Sequence, residues 1–298
     1  MLRYFLLLLI IVFAFVAAQD LSYDLKLTIT ADKSVYIEGE SVWIKVEVTN
    51  LSAEKREVFD LTDDGILAGK FLSFSLKNSL GETIPYGTEG SDSWPKISLG
   101  PGESLYNYFD LPDYYGSPIT DPYLGRRYLP EDIYQCTATF RLNIRAAAIQ
   151  SNTLMFTVRK AAGTDLTVYQ NFINAYKTWL LDYEDEQAIS LFQDMINRYP
   201  QSVFTPLASY YINKIMRISD QISGDALTAS IDFIGNHPET PYAYKVVKAL
   251  LLDAYQNSQL DRAVAKINIV LPKMEPYFPG ITGAITARLA HYQSDLKR

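Results

Sequence analysis

His237 and His291 are the only imidazoles in this 298-residue chain, and Cys136 is its only thiol. One cysteine excludes an intrachain disulfide framework and a cysteine-based zinc cage, and two distant histidines leave little for metal or triad chemistry. His237 directly precedes Pro238 at a helix end, where an imidazole can bond the terminal carbonyls. Cys136 falls on the apolar side of an alternating strand and reads as a buried thiol. No H-E-x-x-H, G-x-S-x-G, phosphate-binding loop or dinucleotide glycine pattern occurs, and Gly100-Pro101-Gly102 is a strand turn. Asp60, Asp63 and Asp64 before Gly65, and Asp110, Asp113 and Asp121, have the oxygens for calcium but not its loop spacing, so they read as solvated turn carboxylates. Nothing selects any two of the 34 acids as a glycoside-hydrolysing pair. No catalytic residue, cofactor or metal ligand is therefore expected.

Contact chemistry is better served. Between Tyr106 and Tyr134 the chain carries Tyr108, Tyr114, Tyr115, Tyr123 and Tyr128, interleaved with Pro112, Pro118, Pro122, Pro130 and the pair Arg126-Arg127. Proline lowers the entropy lost on binding, and tyrosine offers rigid amphipathic area, a combination suited to peptide or sugar recognition. Tyr114, Tyr115, Tyr123, Arg126, Arg127 and Tyr128 are the candidate contact residues. The competing reading folds this stretch over one end of a β domain, with its tyrosines packed inward.

The elements that must position such a loop follow from composition and period. With 27 basic against 34 acidic side chains, a net charge of −7 and no Lys/Arg cluster, the chain lacks a footprint for nucleic acid. Arg3, the apolar run Phe5 to Val16 and the small residues Val16-Ala17-Ala18 read as a signal peptide over 1–18. The apolar run is shorter than the roughly 20 residues a spanning helix needs, and no later segment is apolar enough to cross a bilayer. The expected product is exported, runs from Gln19, and carries −8 once Arg3 leaves.

Residues 19–160 read as strands. Leu25, Leu27 and Ile29 alternate, as do Val42, Ile44, Val46 and Val48 against Trp43, Lys45, Glu47 and Thr49. Tyr134, Cys136, Ala138, Phe140, Leu142 and Ile144 predict a strand of eleven residues, with a partner at Leu154, Phe156 and Val158 and a turn near Ser151-Asn152. Further strands are expected at Phe71 to Leu76, Thr83 to Tyr86 and Leu105 to Phe109, divided by Glu38-Gly39-Glu40, Asn50-Leu51-Ser52, Asp63-Asp64-Gly65, Leu80-Gly81-Glu82 and Gly100-Pro101-Gly102-Glu103. That pattern predicts a two-sheet antiparallel sandwich.

The run Tyr36-Ile37-Glu38-Gly39-Glu40 into Val42–Asn50, then Leu99-Gly100-Pro101-Gly102-Glu103, then Tyr134 on the long strand, resembles bacterial extracellular immunoglobulin-like modules. Asp132-x-Tyr134-x-Cys136 resembles the corner of their strand F, where the tyrosine hydroxyl ties back to upstream backbone. The early strand has no cysteine, so the sheet-to-sheet disulfide of antibody domains cannot form. The resemblance implies adhesion, presentation or spacing. A weaker likeness, through Leu72 to Glu82, is to small bacterial proteinase inhibitors.

After Lys160-Ala161-Ala162-Gly163-Thr164, with 161–164 as linker, the period turns helical over 165–298. Leu166, Tyr169, Phe172, Ile173, Tyr176, Leu180 and Tyr183 recur at three and four residues, and six similar runs follow, making about seven helices. Tyr199-Pro200 recurs as His237-Pro238 and Glu275-Pro276 every 38 residues, while Thr205-Pro206 recurs as Thr240-Pro241 after 35. At each helix start the threonine is expected to cap free amides, with proline in the first turn. Such a period of helix pairs reads as an α-solenoid. Ala188-x3-Phe192-x7-Pro200 resembles the second half of a tetratricopeptide repeat, and that likeness implies a concave face that receives peptides or partner helices.

The expected fold is thus multidomain β + α, an immunoglobulin-like β-sandwich followed by a tetratricopeptide-like helical array. The expected function is a non-catalytic interaction or scaffold role in the cell envelope or outside the cell, with a protein, peptide or glycan partner. The alternatives are an extracellular proteinase inhibitor or glycan-binding module acting through the sandwich loops, and a hydrolase using carboxylates.

Overall fold

The computed structural model describes residues 24–59, 61, 71–85, 96–118, 127–142, 147–219, 223–256, 260–283, 285, 286, 289 and 292. The expected signal peptide, the strand end at Tyr86, the turn at Asp63-Asp64-Gly65, and Asp60, Asp121, Tyr123, Arg126, Ile144 and His291 lie outside the described residues. The chain divides into two compact units, Met1–Lys160 and Ala161–Arg298.

The first unit is built from β-sheets. One sheet has the order β1 (Leu25–Ala31), β3 (Trp43–Asn50), β7 (Ser104–Asp110), all antiparallel. The other centres on β10 (Asp132–Phe140), with β5 (Leu72–Lys77) on one side and β11 (Ile149–Gln150) and β12 (Leu154–Arg159) on the other. Beyond β12 lies β2 (Val35–Ile37), and this one pairing is parallel. Two short pairs, β4 (Arg56–Phe59) with β6 (Lys96–Leu99) and β8 (Ser117–Pro118) with β9 (Arg127–Tyr128), complete the described strands.

Alternation explains the core. Leu25, Leu27 and Ile29 of β1, Ile44, Val46 and Val48 of β3, Leu72, Phe74 and Leu76 of β5, and Tyr134, Cys136, Ala138 and Phe140 of β10 enter one buried cluster. Trp43 stands on the other face of β3, as expected, yet only 3% of it is exposed. The long strand runs to Phe140, opposite the first residues of β11 and β5, Ile149 and Leu72, and its expected end at Ile144 falls outside the described residues. Ser151-Asn152 is no turn but a break between β11 and β12. There the Ser151 hydroxyl accepts from Ala138 N (2.8 Å), and the Asn152 amide accepts from Ile29 N (2.9 Å) and donates to Ile29 O (3.0 Å). Asn152 thereby pairs by side chain with the edge of β1, fastening one sheet to the other. Instead of a strand at Thr83–Tyr86 there is one bridge, Lys77 to Thr83.

The second unit is helical: α1 (Gly163–Leu180), α2 (Asp185–Arg198), α3 (Thr205–Ile218), α4 (Ser223–Asn236), α5 (Pro241–Gln256) and α6 (Leu260–Met274), with helical backbone resuming at Ile281. Gly163 and Thr164, expected in the linker, form the first turn of α1, and Ala161 is buried. Each helix packs on the next, while α3 also meets α5 and α4 meets α6, so first and second helices of successive pairs form two rows. The junction threonines do not cap amides. The Thr205 hydroxyl donates back to Tyr199 O (2.8 Å) and that of Thr240 to His237 O (3.0 Å), so each sews a helix start to the end of the helix before it.

Candidate functional site

The tyrosine-rich stretch is largely structural where it is described. Tyr115 is 3% exposed, its hydroxyl donates to Phe74 O at 2.7 Å, and its ring meets Phe74 edge-on at 6.5 Å, which corrects its reading as a contact residue. Tyr114 packs half-buried against the same core. Arg127 and Tyr128 are half-buried in β9, where the Arg127 guanidinium donates to Gly116 O at 3.1 Å. The Tyr134 hydroxyl donates to Pro130 O at 2.8 Å, and its ring stacks on Phe156 at 5.4 Å.

The other singled-out groups are also occupied structurally. Cys136 is fully buried, and burial pushes its thiol up to about 12. The backbone carbonyl of His237 receives the junction threonine, while its imidazole lies on the Phe233 ring (5.3 Å) rather than on the helix-terminal carbonyls; burial lowers its pKa against an opposing pull from Glu239. Asp110 accepts from Val42 N (3.0 Å) and the Ser41 hydroxyl (2.6 Å) at a fully buried position. Asp113 sits in a short 3-10 turn, Leu111–Asp113. Near Asp110, Asp32 accepts from the Tyr36 hydroxyl, and Glu40 pairs with Lys33 while accepting from Ile37 N (3.0 Å). Burial is the main cause raising both Asp32 and Glu40 above their ordinary values. Among the described residues no group of three or more His, Cys, Asp or Glu could hold a metal ion.

An aromatic cluster that sequence reasoning had not assigned to residues lies on the first-helix row, with Phe172, Tyr176 and Tyr211 buried. Phe172 and Tyr176 of α1 meet Tyr211 of α3 at 5.7 and 5.1 Å, and Trp179 meets it at 5.7 Å. Over these rings stands Lys214, its ammonium 5.4 Å from the Trp179 centroid and 5.6 Å from that of Tyr211. Cation–π attraction of this kind is worth about 0.5–1 kcal/mol at exposed sites and more when desolvated. One helical turn on from Lys214, Arg217 donates to Asp253 of α5 at 2.7 Å, and Tyr210 packs on Tyr242 at 5.1 Å. Trp179, Tyr210, Lys214 and Arg217 are all half-buried, and Tyr183, just past α1, is 83% exposed with a left-handed φ of 58°. A separate shallow groove between α1 and α2 is lined by Asn171, Asn174, Leu191, Asp194, Met195 and Arg198.

No protein-family model matches the chain, and no curated protein matches it. Among solved structures it is similar to the CARDB domain of a Pyrococcus furiosus protein in complex with di-metal ions, at 14% identity over 46% of this chain and 88% of that one, with a TM-score of 0.25. The sporulation control protein Spo0M of Bacillus subtilis aligns at 15% identity over 52% of this chain and 55% of its own, TM-score 0.26. A Pseudomonas fluorescens alkylpurine DNA glycosylase bound to abasic-site DNA aligns at 11% over 46% and 30%, TM-score 0.26. At such TM-scores none of them carries a function to this chain. The molecule is a mixed β + α protein, and no helix among the described residues is long and apolar enough to cross a membrane.

Proposed function

We propose that this is an exported, non-catalytic interaction protein, in which an immunoglobulin-like sandwich spaces or presents a tetratricopeptide-like helical array that binds a partner protein. The observation that carries this reading is the row of first helices, where a half-buried indole, tyrosine rings and cations form a continuous stripe across α1, α3 and α5. Aromatic and arginine side chains held rigid in this way supply most of the energy at protein interfaces. The immunoglobulin-like assignment is supported by the Tyr134 corner and by the Asn50 hydrogen bonds that tie the Gly100 turn to β3. The test is to use the chain from Gln19 as bait against the producing cell's envelope and secreted fractions. A reproducible partner lost on deletion of residues 161–298 is expected; a folded bait that retains nothing overturns the reading.

A further inference from the structure

The partner's chemistry can be narrowed from the charge of the same row, an inference that rests on the reading just given. The chain as a whole is acidic, at −7. Yet α1, α3 and α5 together carry five basic side chains, Lys177, Lys214, Arg217, Lys245 and Lys248, the last of them buried over the Tyr244 ring, against only Asp165 and Asp253. The intervening α2 has the opposite balance, with Asp185, Glu186 and Asp194 against Arg198. Arg217 already has its carboxylate in Asp253. Lys214 has two aromatic faces beside it, and no carboxylate among the described residues lies within ion-pair distance. A half-buried ammonium flanked by π-faces binds an incoming carboxylate in a setting where solvent screens it less than at an open surface.

The geometry points to docking of an acidic peptide segment of a partner protein along the first-helix row, with Lys214 as its central anchor and Trp179 and Tyr210 as the apolar contacts on either side. Charge of this kind sets selectivity and association rate more than raw affinity, so the signature is a preference for Asp/Glu and a steep salt dependence.

The test uses the full exported chain on an array of random synthetic 15-residue peptides, with the variants Lys214→Gln, Lys214→Glu/Arg217→Glu and Lys266→Glu, each checked for wild-type helicity. Lys266 lies on the second row, where it reaches Thr228 of α4 at 3.4 Å, and its reversal matches the first-row change in sign. The expected result is enrichment of Asp and Glu among bound peptides, binding weakened about threefold by Lys214→Gln and at least tenfold by the double reversal, and binding unchanged in Lys266→Glu. Bound peptides without acidic enrichment, or equal losses in Lys266→Glu, overturn the proposal. Self-association abolished by the double reversal makes the occupant a second copy and overturns it also. If an envelope partner requires residues 161–298 but survives the double reversal, acidic docking falls while the partner reading stands.

Discussion

Replacing Asn50 by alanine tests how the sandwich holds its turns. Asn50 is fully buried at the end of β3. Its amide nitrogen donates to Glu54 O (2.7 Å), Leu99 O (3.0 Å) and Gly100 O (3.0 Å), and its oxygen accepts from Ser52 N (3.0 Å) and the Ser52 hydroxyl (2.8 Å). Two amide hydrogens serve three acceptors, so about two donor bonds and one acceptor bond count at full strength, at ~1 kcal/mol net each. Alanine also leaves buried carbonyl oxygens without their donor, so the cost reaches about 3–4 kcal/mol. For a unit of this size that lowers the melting temperature by roughly 10 °C or more. Asn50→Asp keeps the acceptor and loses both donors, turning a carboxylate toward three carbonyls, so it costs at least as much. Near-UV circular dichroism melts of the full chain, with hydrogen exchange followed on β3 and β6 peptides, place the loss in this unit. An alanine variant within about 2 °C of the parent, or a neutral aspartate variant, would refute the reasoning.

Gly116 has φ 105°, and an added Cβ would stand 2.2 Å from Tyr128 O, so Gly116→Ala costs more than the ~1–3 kcal/mol of backbone strain alone and frees the β8–β9 amides to exchange. Cys136 is protected: its protonated form favours the folded state below pH 9, an advantage lost as pH rises toward about 12, so iodoacetamide at pH 9 labels it only after unfolding. Asp32 and Glu40 have raised folded values, so the stability of their protonated forms is complete below 3.8 and 4.5 and is lost as pH rises through the raised values. His237 is lowered, so its contribution is present above 6.5 and is lost as pH falls through its folded value. As pH falls, protection from hydrogen exchange, corrected for the intrinsic rate, therefore rises around Asp32 and Glu40 as their raised values are crossed and falls at the end of α4 below 6.5, and Asp32→Asn and His237→Phe each remove their own residue's part of that response.

What the sequence disclosed depended on length and on water. β1, β3 and β10 are long enough for a period of two to show, and each has one face turned from the core. β2, β4 and β6 run three or four residues, too short for any period, and the parallel pairing of β2 to β12 depends on register, which no local pattern encodes. The Gly-Glu turns were visible as turns but not as capped ones. Glu40 accepts from Ile37 N and Glu103 from Gly100 N, each three residues back, so the glutamate after the glycine closes its own turn. The junction threonines misled because a hydroxyl donates as readily as it accepts, and here buried carbonyls at the preceding helix end outcompeted the amides ahead.

The tyrosine stretch left two readings open for a related reason: a phenol satisfies its hydroxyl in a core as well as in an interface, and Tyr115 donates to Phe74 O. The first-helix row was closer to legible than it seemed. Tyr211 follows Tyr176 by 35 residues, and Lys214 follows Trp179 by the same interval that separates Thr205-Pro206 from Thr240-Pro241. In stacked helix pairs, residues one period apart stand side by side on neighbouring first helices. The repeat length alone therefore sets Tyr176 beside Tyr211, which meet at 5.1 Å, and Trp179 beside Lys214 at 5.4 Å. Carried on, the same interval takes Lys214 to Ala249 and Arg217 to Leu252. The aromatic partner is thus replaced by small and aliphatic side chains on α5, with Leu252 44% exposed. The 35-residue interval thus sets aromatic side chains of α1 and α3 in register and leaves the matching α5 positions small or aliphatic, so this contact could be read from the repeat only as far as α3.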